Sequence, residues 1–443
     1  MRDAVLPVLP ASRRLRPVQP LYDRDHTCPV VYDLERGMLL EVPVELQAHV
    51  APALEGGDPD DALIAWLADE DLLTAEDRSE SAPPDLPWQV PLPPSGLGGV
   101  WLSEDEVHCL PAPGGEDSTL AAFEALLGGT ERGSRFVLHL LAAGELARPR
   151  ALRRTVAGAE RLGRRYGRRV ALELTTDGAG LGDPMARFLA DHDLTVRLVG
   201  DAVPTIERLL ERLGDRLTLC ALLDTGDRLA DLWHRAAALG VRRLHATKVV
   251  DRPFGGITLV DAELRQYRRD LFAIADETFD ALAEGRPPRP LYEPLTRVVR
   301  RHLSGRPAAF GAGGSAGYYG LLAGGAVFPL LAPFASLAGE APRDGWTAPV
   351  ADDEEPAGAC DACWGRRLCA RSRFAVAHPG PFRPEPAADR CEFWRAEVEV
   401  GLLLYHRLEQ ADPQAFLGLA AGRDDAPFFD PYTLSRRQGL EVC

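Results

Sequence analysis

Four cysteines late in the chain have the residue type and the spacing of a metal site. They are Cys360, Cys363, Cys369 and Cys391, and the first three follow the pattern C-x2-C-x5-C. Four converging thiolates suit a tetrahedral zinc ion or an iron–sulfur cluster. The segment 358–369 shows no hydrophobic periodicity that would place these sulfurs in an apolar core. The sequence therefore predicts one metal centre held by the four cysteines together.

The composition predicts a globular protein with more than one domain. A chain of 443 residues, 46% hydrophobic and 26% charged, is long enough for two or three folded domains. Its formal net charge of −16 argues against nucleic acid and membrane as partners, because both require basic surfaces. No apolar run could span a bilayer, and the start lacks the apolar stretch of a signal peptide. We therefore expect a cytoplasmic protein whose reduced thiols bind metal rather than form disulfides.

A small unit of strands and helices is predicted near the start of the chain. The predicted strands span 29–33 and 37–42, and the predicted helices lie near 44–54 and 60–68. Residues 1–27 are rich in Pro and Arg, and we expect them to be poorly ordered at first. The proline-rich segment 82–97 then predicts a stiff linker to the rest of the chain.

The middle of the chain, from residue 98 to about 250, alternates short apolar runs with helical patterns. The strand candidates are 99–102, 136–141, 170–174, 195–199, 217–222 and 243–246. The helix candidates between them are 119–127, 151–166, 184–191, 204–213 and 228–239. Such alternation predicts an α/β fold with a parallel sheet and right-handed crossovers. Periodicity alone leaves open a partial (β/α)6 barrel or a flat doubly wound sheet.

The last third of the chain carries the cysteines. Residues 258–305 show helical patterns, and residues 306–395 are rich in loops. An amphipathic helix is predicted over 390–410, so that it begins beside Cys391. The tail 411–443 gives no clear element.

The cysteine spacing resembles the SPASM extension of radical SAM peptide maturases. In that family C-x2-C-x5-C-x3-C, followed by a last cysteine, ligates two auxiliary 4Fe-4S clusters. The resemblance implies that the four cysteines named above hold the outer cluster, and Trp364 stands where the family often has a Trp. One 4Fe-4S cluster is thus the expected cofactor, with zinc as the alternative, since four thiolates suit both metals.

The inner auxiliary cluster of that family lacks its ligands in this chain. The x3-C position is Arg373, and Phe310 and Leu330 stand at two further cysteine places. We expect these three residues to converge beside the metal loop, with apolar side chains filling the vacated space. A buried unpaired charge is costly, so Arg373 should reach solvent or pair with a carboxylate of the acidic run 352–355.

The catalytic signature of the family is also missing. A radical SAM enzyme needs C-x3-C-x2-C in the loop after its first barrel strand. Only Cys109 lies near that place, where we expect an ordinary loop cysteine, and Pro113 and Glu116 occupy the other two positions. The resemblance therefore implies that the protein holds no cluster able to cleave S-adenosylmethionine. We expect a non-catalytic pseudoenzyme rather than an enzyme.

Remnants of the family's S-adenosylmethionine pocket can be matched in two places. The family's Gly-Gly-Glu-Pro is half preserved, and its Thr-Thr-Asn-Gly has a close counterpart. The matching residues are Gly144 and Glu145 in the first, and Thr175, Thr176, Asp177 and Gly178 in the second.

The N-terminal unit resembles the small winged-helix-like element that many peptide maturases use to capture a leader peptide as an added strand. The strand that would receive the peptide consists of Gly37, Met38, Leu39, Leu40, Glu41 and Val42. A wing domain without a peptide-binding role is the alternative.

The resemblance implies a domain order along the chain. The domains are a leader-peptide-recognition-like domain at 1–81, a linker at 82–97, a radical-SAM-like partial barrel at 98–257, a helical connector at 258–305, a SPASM-like iron–sulfur region at 306–410 and a tail at 411–443.

Three functions are compatible with these residues. The first is a degenerate radical SAM/SPASM-like protein in the maturation of a ribosomally synthesised peptide, which binds the precursor peptide or an active maturase. The second is an active peptide-modifying enzyme that uses the barrel top and the auxiliary cluster as an electron relay, with Glu145 and Asp177 as the carboxylates to test. The third is a zinc-stabilised binding module. We expect His139 and His245 to be satisfied polar residues and Cys220 to lie in the core.

Overall fold

The structure is a computed structural model with three structural parts. It describes residues 13–15, 18–34, 36–54, 61–75, 97–102, 106–111, 116–129, 135–141, 148–178, 181–200, 203–223, 226–248, 251–252, 255–256, 261–304, 319–321, 327–329, 363–365, 368 and 388–411. These residues form a small N-terminal unit, a large mixed sheet covered by helices, and a group of three long helices that contact both.

The N-terminal unit combines a three-stranded antiparallel sheet with two helices. Its elements are β1 (Arg13–Leu15), β2 (Val18–Leu21), β3 (Val30–Asp33), β4 (Met38–Glu41), α1 (Gln47–Leu54), α2 (Asp61–Asp69) and β5 (Leu73–Ala75). The sheet order is β2-β3-β4, and β1 pairs separately with β5. The two expected strands and two expected helices are confirmed. The strands β1 and β2 lie within 1–27, a segment that was expected to be poorly ordered at first. Pro20 obscures β2 in the sequence, although proline is tolerated in an edge strand.

Alternating residues of β3 belong to two different cores. Val31 packs in a small cluster with residues of α1 and α2, including Trp66. Val30 and Tyr32 point to the opposite face and join the main hydrophobic core. Because successive strand residues face opposite sides, a sheet buried on both faces links the N-terminal unit to the rest of the molecule.

Within the described residues the main sheet has ten strands, and six strands that follow one another in the chain run parallel. Its elements are β6 (Leu97–Leu102), β7 (Glu106–Pro111), α3 (Glu116–Gly129), β8 (Arg135–Leu141), α4 (Pro149–Tyr166), β9 (Arg169–Thr176), α5 (Asp183–Asp191), β10 (Thr195–Val199), α6 (Val203–Leu213), β11 (Leu217–Leu223), α7 (Leu229–Ala238) and β12 (Arg243–Lys248). Among the described strands, β13 (Asp251–Arg252) and β14 (Gly255–Gly256) pair with each other and with no further strand. Parallel pairing runs from β7 through β12 in chain order, which confirms the α/β fold with a six-stranded parallel sheet.

The start of this sheet differs from the sequence-based expectation. Strand β6, expected as the first parallel strand, pairs antiparallel with β7. The strand β7 was expected to be a loop, and its Cys109 is a fully buried strand residue and not a loop cysteine. The polar start and terminal proline of its sequence EVHCLP conceal the strand, whose pairing with β8 is a long-range contact.

Three long helices follow the parallel strands. The remaining elements are α8 (Asp261–Ala283), β15 (Leu291–Tyr292), α9 (Glu293–Ser304), β16 (Tyr319–Leu321), β17 (Val327–Pro329) and α10 (Ala388–Ala411). Strand β15 extends the parallel edge beside β12, and the hairpin β16–β17 extends the other edge beside β6. The expected closing helix is confirmed as α10, which packs against α8 and α9. Gly401 permits a close approach, because a Cβ there would lie 2.7 Å from Val298 Cβ. Within the described residues, none of the helices is long and apolar enough to cross a bilayer.

Candidate functional site

The predicted metal ligands fall partly within the described residues. Cys363 is half-buried at the start of a short turn, and Cys391 lies in the first turns of α10. Cys360 and Cys369 lie outside the described residues, so the convergence of all four sulfurs stays a prediction. No group of three or more His, Cys, Asp or Glu side chains suited to a metal occurs among the residues that are described.

The turn after Cys363 packs against the part of α10 that carries Cys391. A Cβ atom on Gly365 would lie 2.7 Å from Trp394 Cζ3, so only glycine allows this approach without a shift. Trp394 follows Cys391 by three residues, which is close to one turn of the helix. The Leu368 N–H donates to the Gly365 carbonyl at 3.0 Å and closes the turn. This arrangement fits a centre shared by the cysteine loop and α10.

The predicted remnant of the S-adenosylmethionine pocket lies at the carboxyl end of β9. Thr176 is buried, and its Oγ1 accepts a hydrogen bond from the Gly178 N–H at 3.0 Å. Gly178 has φ +82°, and a Cβ there would lie 2.8 Å from Thr205 Cγ2. Asp177 is exposed. The backbone conformation and the close packing of this turn therefore explain the glycine without any bound ligand. Gly144 and Glu145 lie outside the described residues.

Cys109 is poorly suited to bind iron. Its thiol is fully buried among apolar side chains of the main core, including Phe123 and Leu138. Burial raises the pKa of the Cys109 thiol far above its ordinary value, which disfavours the thiolate that a metal requires. Pro113 lies outside the described residues, and Glu116 begins α3.

A row of buried polar side chains crosses one face of the parallel sheet. This row was not expected from the sequence. We call this set the polar row: His139 on β8, Glu173 on β9, Arg197 on β10, Thr218 on β11, His245 on β12 and Glu293 at the start of α9. The opposite face of the same strands is apolar and packs in the main core, as Leu138, Leu172 and Val196 do. The polar row thus lies on the side turned away from that apolar layer.

Contacts connect the polar row from strand to strand. His139 Nδ1 lies 3.1 Å from Glu173 Oε2, and Arg197 Nε lies 3.7 Å from the same oxygen. Arg197 Nη1 donates to Glu293 Oε2 at 3.1 Å, and Thr218 Oγ1 donates to Glu293 Oε1 at 3.1 Å. His245 Nδ1 lies 3.5 Å from Glu293 Oε2. Glu293 is therefore the carboxylate on which three strands converge.

Burial and charge determine the protonation of this group. Burial alone would raise the pKa of Glu293, but Arg197, His245 and Arg297 hold that pKa well below its ordinary value. Burial lowers the pKa of His245, and this outweighs the opposing effect of its hydrogen bond to Glu293. At neutral pH the row therefore contains an ionised Glu293, a neutral His245 and a charged Arg197.

The expectations for two histidines and one cysteine can be compared with this geometry. His139 and His245 each lie beside a carboxylate of the polar row. Cys220 is fully buried, but it lies two residues after Thr218 on β11 and is the register partner of His245. Its side chain therefore faces the side of the polar row and not the apolar layer.

One sequence signal could have revealed the polar row. Glu173 and Arg197 interrupt the apolar runs within the strands RVALELTT and TVRLV, at positions that a buried parallel strand normally fills with apolar residues. The signal shows that each position is unusual, but the partners come from strands and helices far apart in the chain.

A buried tyrosine pair joins α10 to the sheet beside the polar row. Tyr267 on α8 donates to Glu397 Oε1 on α10 at 2.6 Å, and its hydroxyl lies 3.0 Å from that of Tyr292. Burial, together with Glu397, raises the pKa of Tyr267 well above its ordinary value, so the phenol stays protonated. Tyr292 directly precedes Glu293, so α10 and the polar row are mechanically connected.

The predicted peptide-receiving strand is β4, which lies at one edge of its sheet. Among the described strands it has β3 as its single neighbour. Met38 is 50% exposed and Glu41 is exposed, whereas Leu40 and Val42 are buried in the small core. The glycine of this segment, Gly37, has φ +71° and allows the turn from β3.

The N-terminal unit is attached to the long helices by hydrogen bonds and rings. Glu399 Oε1 on α10 accepts from the Tyr22 N–H at 2.9 Å and from Arg268 Nη2 at 3.0 Å. Burial raises the pKa of Glu399, against the opposing effect of Arg268. The ring of His302 lies 6.2 Å from Tyr32 and 4.5 Å from Tyr405.

Comparison with known proteins adds a likeness of shape. No family model matches the chain, and no curated protein matches it. The similar solved structures include native anSMEcpe with bound AdoMet and Cp18Cys peptide, at TM-score 0.43 and 12% identity, over 66% of this chain and 90% of that chain. A histidine-tagged form of anSMEcpe with bound AdoMet has the same TM-score and identity over 72% of this chain and 88% of that chain. Such a likeness does not establish a common family, so the function is inferred from this chain's own residues.

Proposed function

We propose that this chain is a catalytically degenerate radical SAM/SPASM-like iron–sulfur protein in the maturation of a ribosomally synthesised peptide. It binds the precursor peptide, an active radical SAM maturase, or both. The observation that carries the proposal is the edge strand β4, whose outer backbone groups can pair with an extended peptide.

The metal part of the proposal rests on the cysteines. Cys363 and Cys391 lie on two segments that Gly365 and Trp394 hold together, which supports one shared centre. A 4Fe-4S cluster is the proposed cofactor, and zinc is the alternative. When bound, the cluster would cross-link the loop to α10 or conduct electrons. The chain's own residues position it through the packing of the turn on α10.

We expect no cleavage of S-adenosylmethionine, because the residues at the expected ligand places do not suit an iron–sulfur cluster. Cys109 is buried in a strand among apolar side chains, and its raised thiol pKa opposes ligation. Proline and glutamate occupy the other two places, and proline has no donor atom for iron. The partial barrel would therefore act as a scaffold between the N-terminal unit and the cysteine region.

The metal proposal is tested by anaerobic purification followed by iron, sulfide and zinc analysis. We expect about four irons per chain and a brown sample that absorbs near ~400 nm. The same sample, mixed with S-adenosylmethionine and dithionite, should release no 5′-deoxyadenosine. Stoichiometric zinc in a colourless sample would refute the iron–sulfur cluster and favour the zinc-stabilised module. Release of 5′-deoxyadenosine would refute the proposal of a pseudoenzyme.

The peptide proposal is tested by selecting a displayed library of random linear peptides on the full chain. Selected peptides should protect the Leu39 and Glu41 amides from hydrogen exchange, because these residues turn their backbone groups to the open edge. Backbone N-methylation of a selected peptide should abolish binding at every second residue, where the N–H faces β4, and should be tolerated at the residues between them. Binding without protection of β4 would show that the peptide site is elsewhere.

The polar row favours a second candidate, the active peptide-modifying enzyme. Buried ionisable groups with shifted pKa values are concentrated at functional sites more often than elsewhere, and Glu293 and His245 both have them. Asp177 is exposed at the carboxyl end of β9, where chemistry occurs in barrels. This candidate predicts that the protein changes the mass of a selected peptide. Loss of that change in Asp177→Asn, with retention in the exposed control Asp191→Asn, would favour this candidate over the first.

A further inference from the structure

Among the described strands β4 has β3 as its single neighbour, so its other edge offers two residues to an added strand. The Val42 N–H donates to the Pro29 carbonyl on β3 at 2.9 Å. Inward and outward backbone groups alternate along an antiparallel strand, so Met38, Leu40 and Val42 pair with β3. Leu39 and Glu41 therefore direct their N–H and C=O groups outward. An extended segment would form its backbone hydrogen bonds with these two residues.

The side chains beside this edge carry negative charge. Glu41 is exposed on β4. Burial lowers the pKa of His406 on α10, against the opposing charges of Glu41 and of Glu409 near the end of the same helix, so this imidazole is neutral at pH 7. Glu409 is exposed and accepts a hydrogen bond from the Tyr405 hydroxyl at 3.0 Å. Both carboxylates therefore act electrostatically on the same histidine.

The cationic side chains around this edge are turned to other carboxylates. Arg407, next to His406, lies 2.5 Å from Asp276 and over the ring of Phe279. Arg36, just before β4, pairs with Asp71. Among the described residues, neither Glu41 nor Glu409 forms an ion pair with a cationic side chain. The edge is therefore acidic where an added strand would lie.

We infer that the strand added to β4 is a peptide segment with a Lys or Arg side chain facing Glu41 and Glu409. The inference deepens the proposed function and rests on it, since it names the chemistry of the bound peptide. A residue that pairs with Glu41 on the same face of the sheet contacts its side chain, and opposite charges stabilise such a cross-strand pair. Glu409 adds to the attraction from the end of α10.

A second copy of this chain fits the edge less well than a basic peptide. Pairing of β4 with β4 would bring Glu41 and Glu409 of both copies to one seam. Like charges that close together oppose association. The net charge of −16 for the whole chain opposes self-association further.

The experiment compares peptides selected from the displayed library on the wild-type chain and on two variants. The variants are Glu41→Gln and Glu41→Lys, and Glu207→Lys is the matched control, because Glu207 is an exposed carboxylate on α6. We expect wild-type selections enriched in Lys or Arg at one position. A selected peptide should bind Glu41→Gln about two- to fivefold more weakly, as for an exposed charge pair. The Glu41→Lys chain should instead select Asp or Glu at that position.

The outcomes separate this inference from the proposed function. Peptides that protect the Leu39 and Glu41 amides without any charge preference would overturn the basic-peptide inference and leave strand addition intact. A charge preference that Glu207→Lys changes as much as Glu41→Lys would overturn it as well, by showing an effect of net charge. Enriched peptides that leave β4 unprotected, or no enrichment, would overturn both. Concentration-dependent dimers that protect β4 would identify a second copy as the occupant and refute the peptide.

Discussion

The burial of His245 beside Glu293 makes the stability of this protein depend on pH. Burial lowers the pKa of His245, so below about pH 6.5 the unfolded chain binds a proton that the folded protein does not. This contribution to stability is complete above that pH and is lost as the pH falls toward the lower folded pKa. We expect His245→Gln to lose less unfolding free energy than wild type between about pH 7.5 and 5.5, measured by urea unfolding.

Three other groups with shifted pKa values are present in both wild type and His245→Gln. Burial also lowers the pKa values of His302 and His406, while it raises that of Glu399. Glu293 stays ionised across the window, because its pKa lies well below the ordinary value. The difference between wild type and variant therefore isolates His245. An identical pH dependence of the two would show that the imidazole is not held neutral.

Gly178 in the turn after β9 provides a second test at the residue scale. Gly167 has a similar φ of +62° at the end of α4, but a Cβ there would meet nothing within 4 Å. Gly167→Ala should therefore cost about 1 kcal/mol from backbone strain alone. Gly178→Ala adds a clash with Thr205 and Leu198, and we expect about 2–4 kcal/mol. Equal losses in urea unfolding would contradict the crowding of this turn.

At the scale of elements, the contact between the cysteine turn and α10 can be tested without changing a ligand. Gly365→Ala would place a methyl group 2.7 Å from Trp394 and push the turn off the helix. We expect metal to leave this variant faster in a chelator than it leaves wild type. Measured by iron or zinc release, the rate should rise about tenfold, as for weakened support of ligands.

Gly401→Ala is the matched control for this prediction. It also places a methyl group 2.7 Å from a side chain, that of Val298, but between α10 and α9. It should lower the stability of the fold while metal release stays near the wild-type rate. If both variants released metal equally fast, global destabilisation and not the cysteine turn would explain the result.

At the scale of the whole molecule, Glu399 connects the N-terminal unit to α8 and α10. Glu399→Ala leaves the Tyr22 N–H and Arg268 without their shared acceptor, which should cost about 3 kcal/mol. Hydrogen exchange in β2 and β3 should rise in this variant. Arg24→Ala removes an exposed ion pair with Asp276 between the same parts and should cost under about 1 kcal/mol. A similar loss in both variants would mean that the attachment is not centred on Glu399.

Local pattern alone determined much of this protein. Alternation of apolar strands and amphipathic helices is a property of short windows, so five strands from β8 to β12 and the helices between them were predicted close to their observed bounds. The edge strand β4 and the closing helix α10 were predicted for the same reason. The spacing of Cys360, Cys363 and Cys369 is likewise local, and it predicts a metal loop before any contact is known.

Which distant residues come into contact depends on how the whole chain folds. The antiparallel pairing of β6, the strand character of β7, and the packing of Gly365 on Trp394 depend on contacts between segments far apart in the chain. The polar row unites side chains from six elements, because parallel strands bring residues of equal register together across a sheet. Burial of a charged side chain in a single strand costs free energy, and hydrogen bonds from other elements, such as those from Arg197 and Thr218 to Glu293, offset this cost.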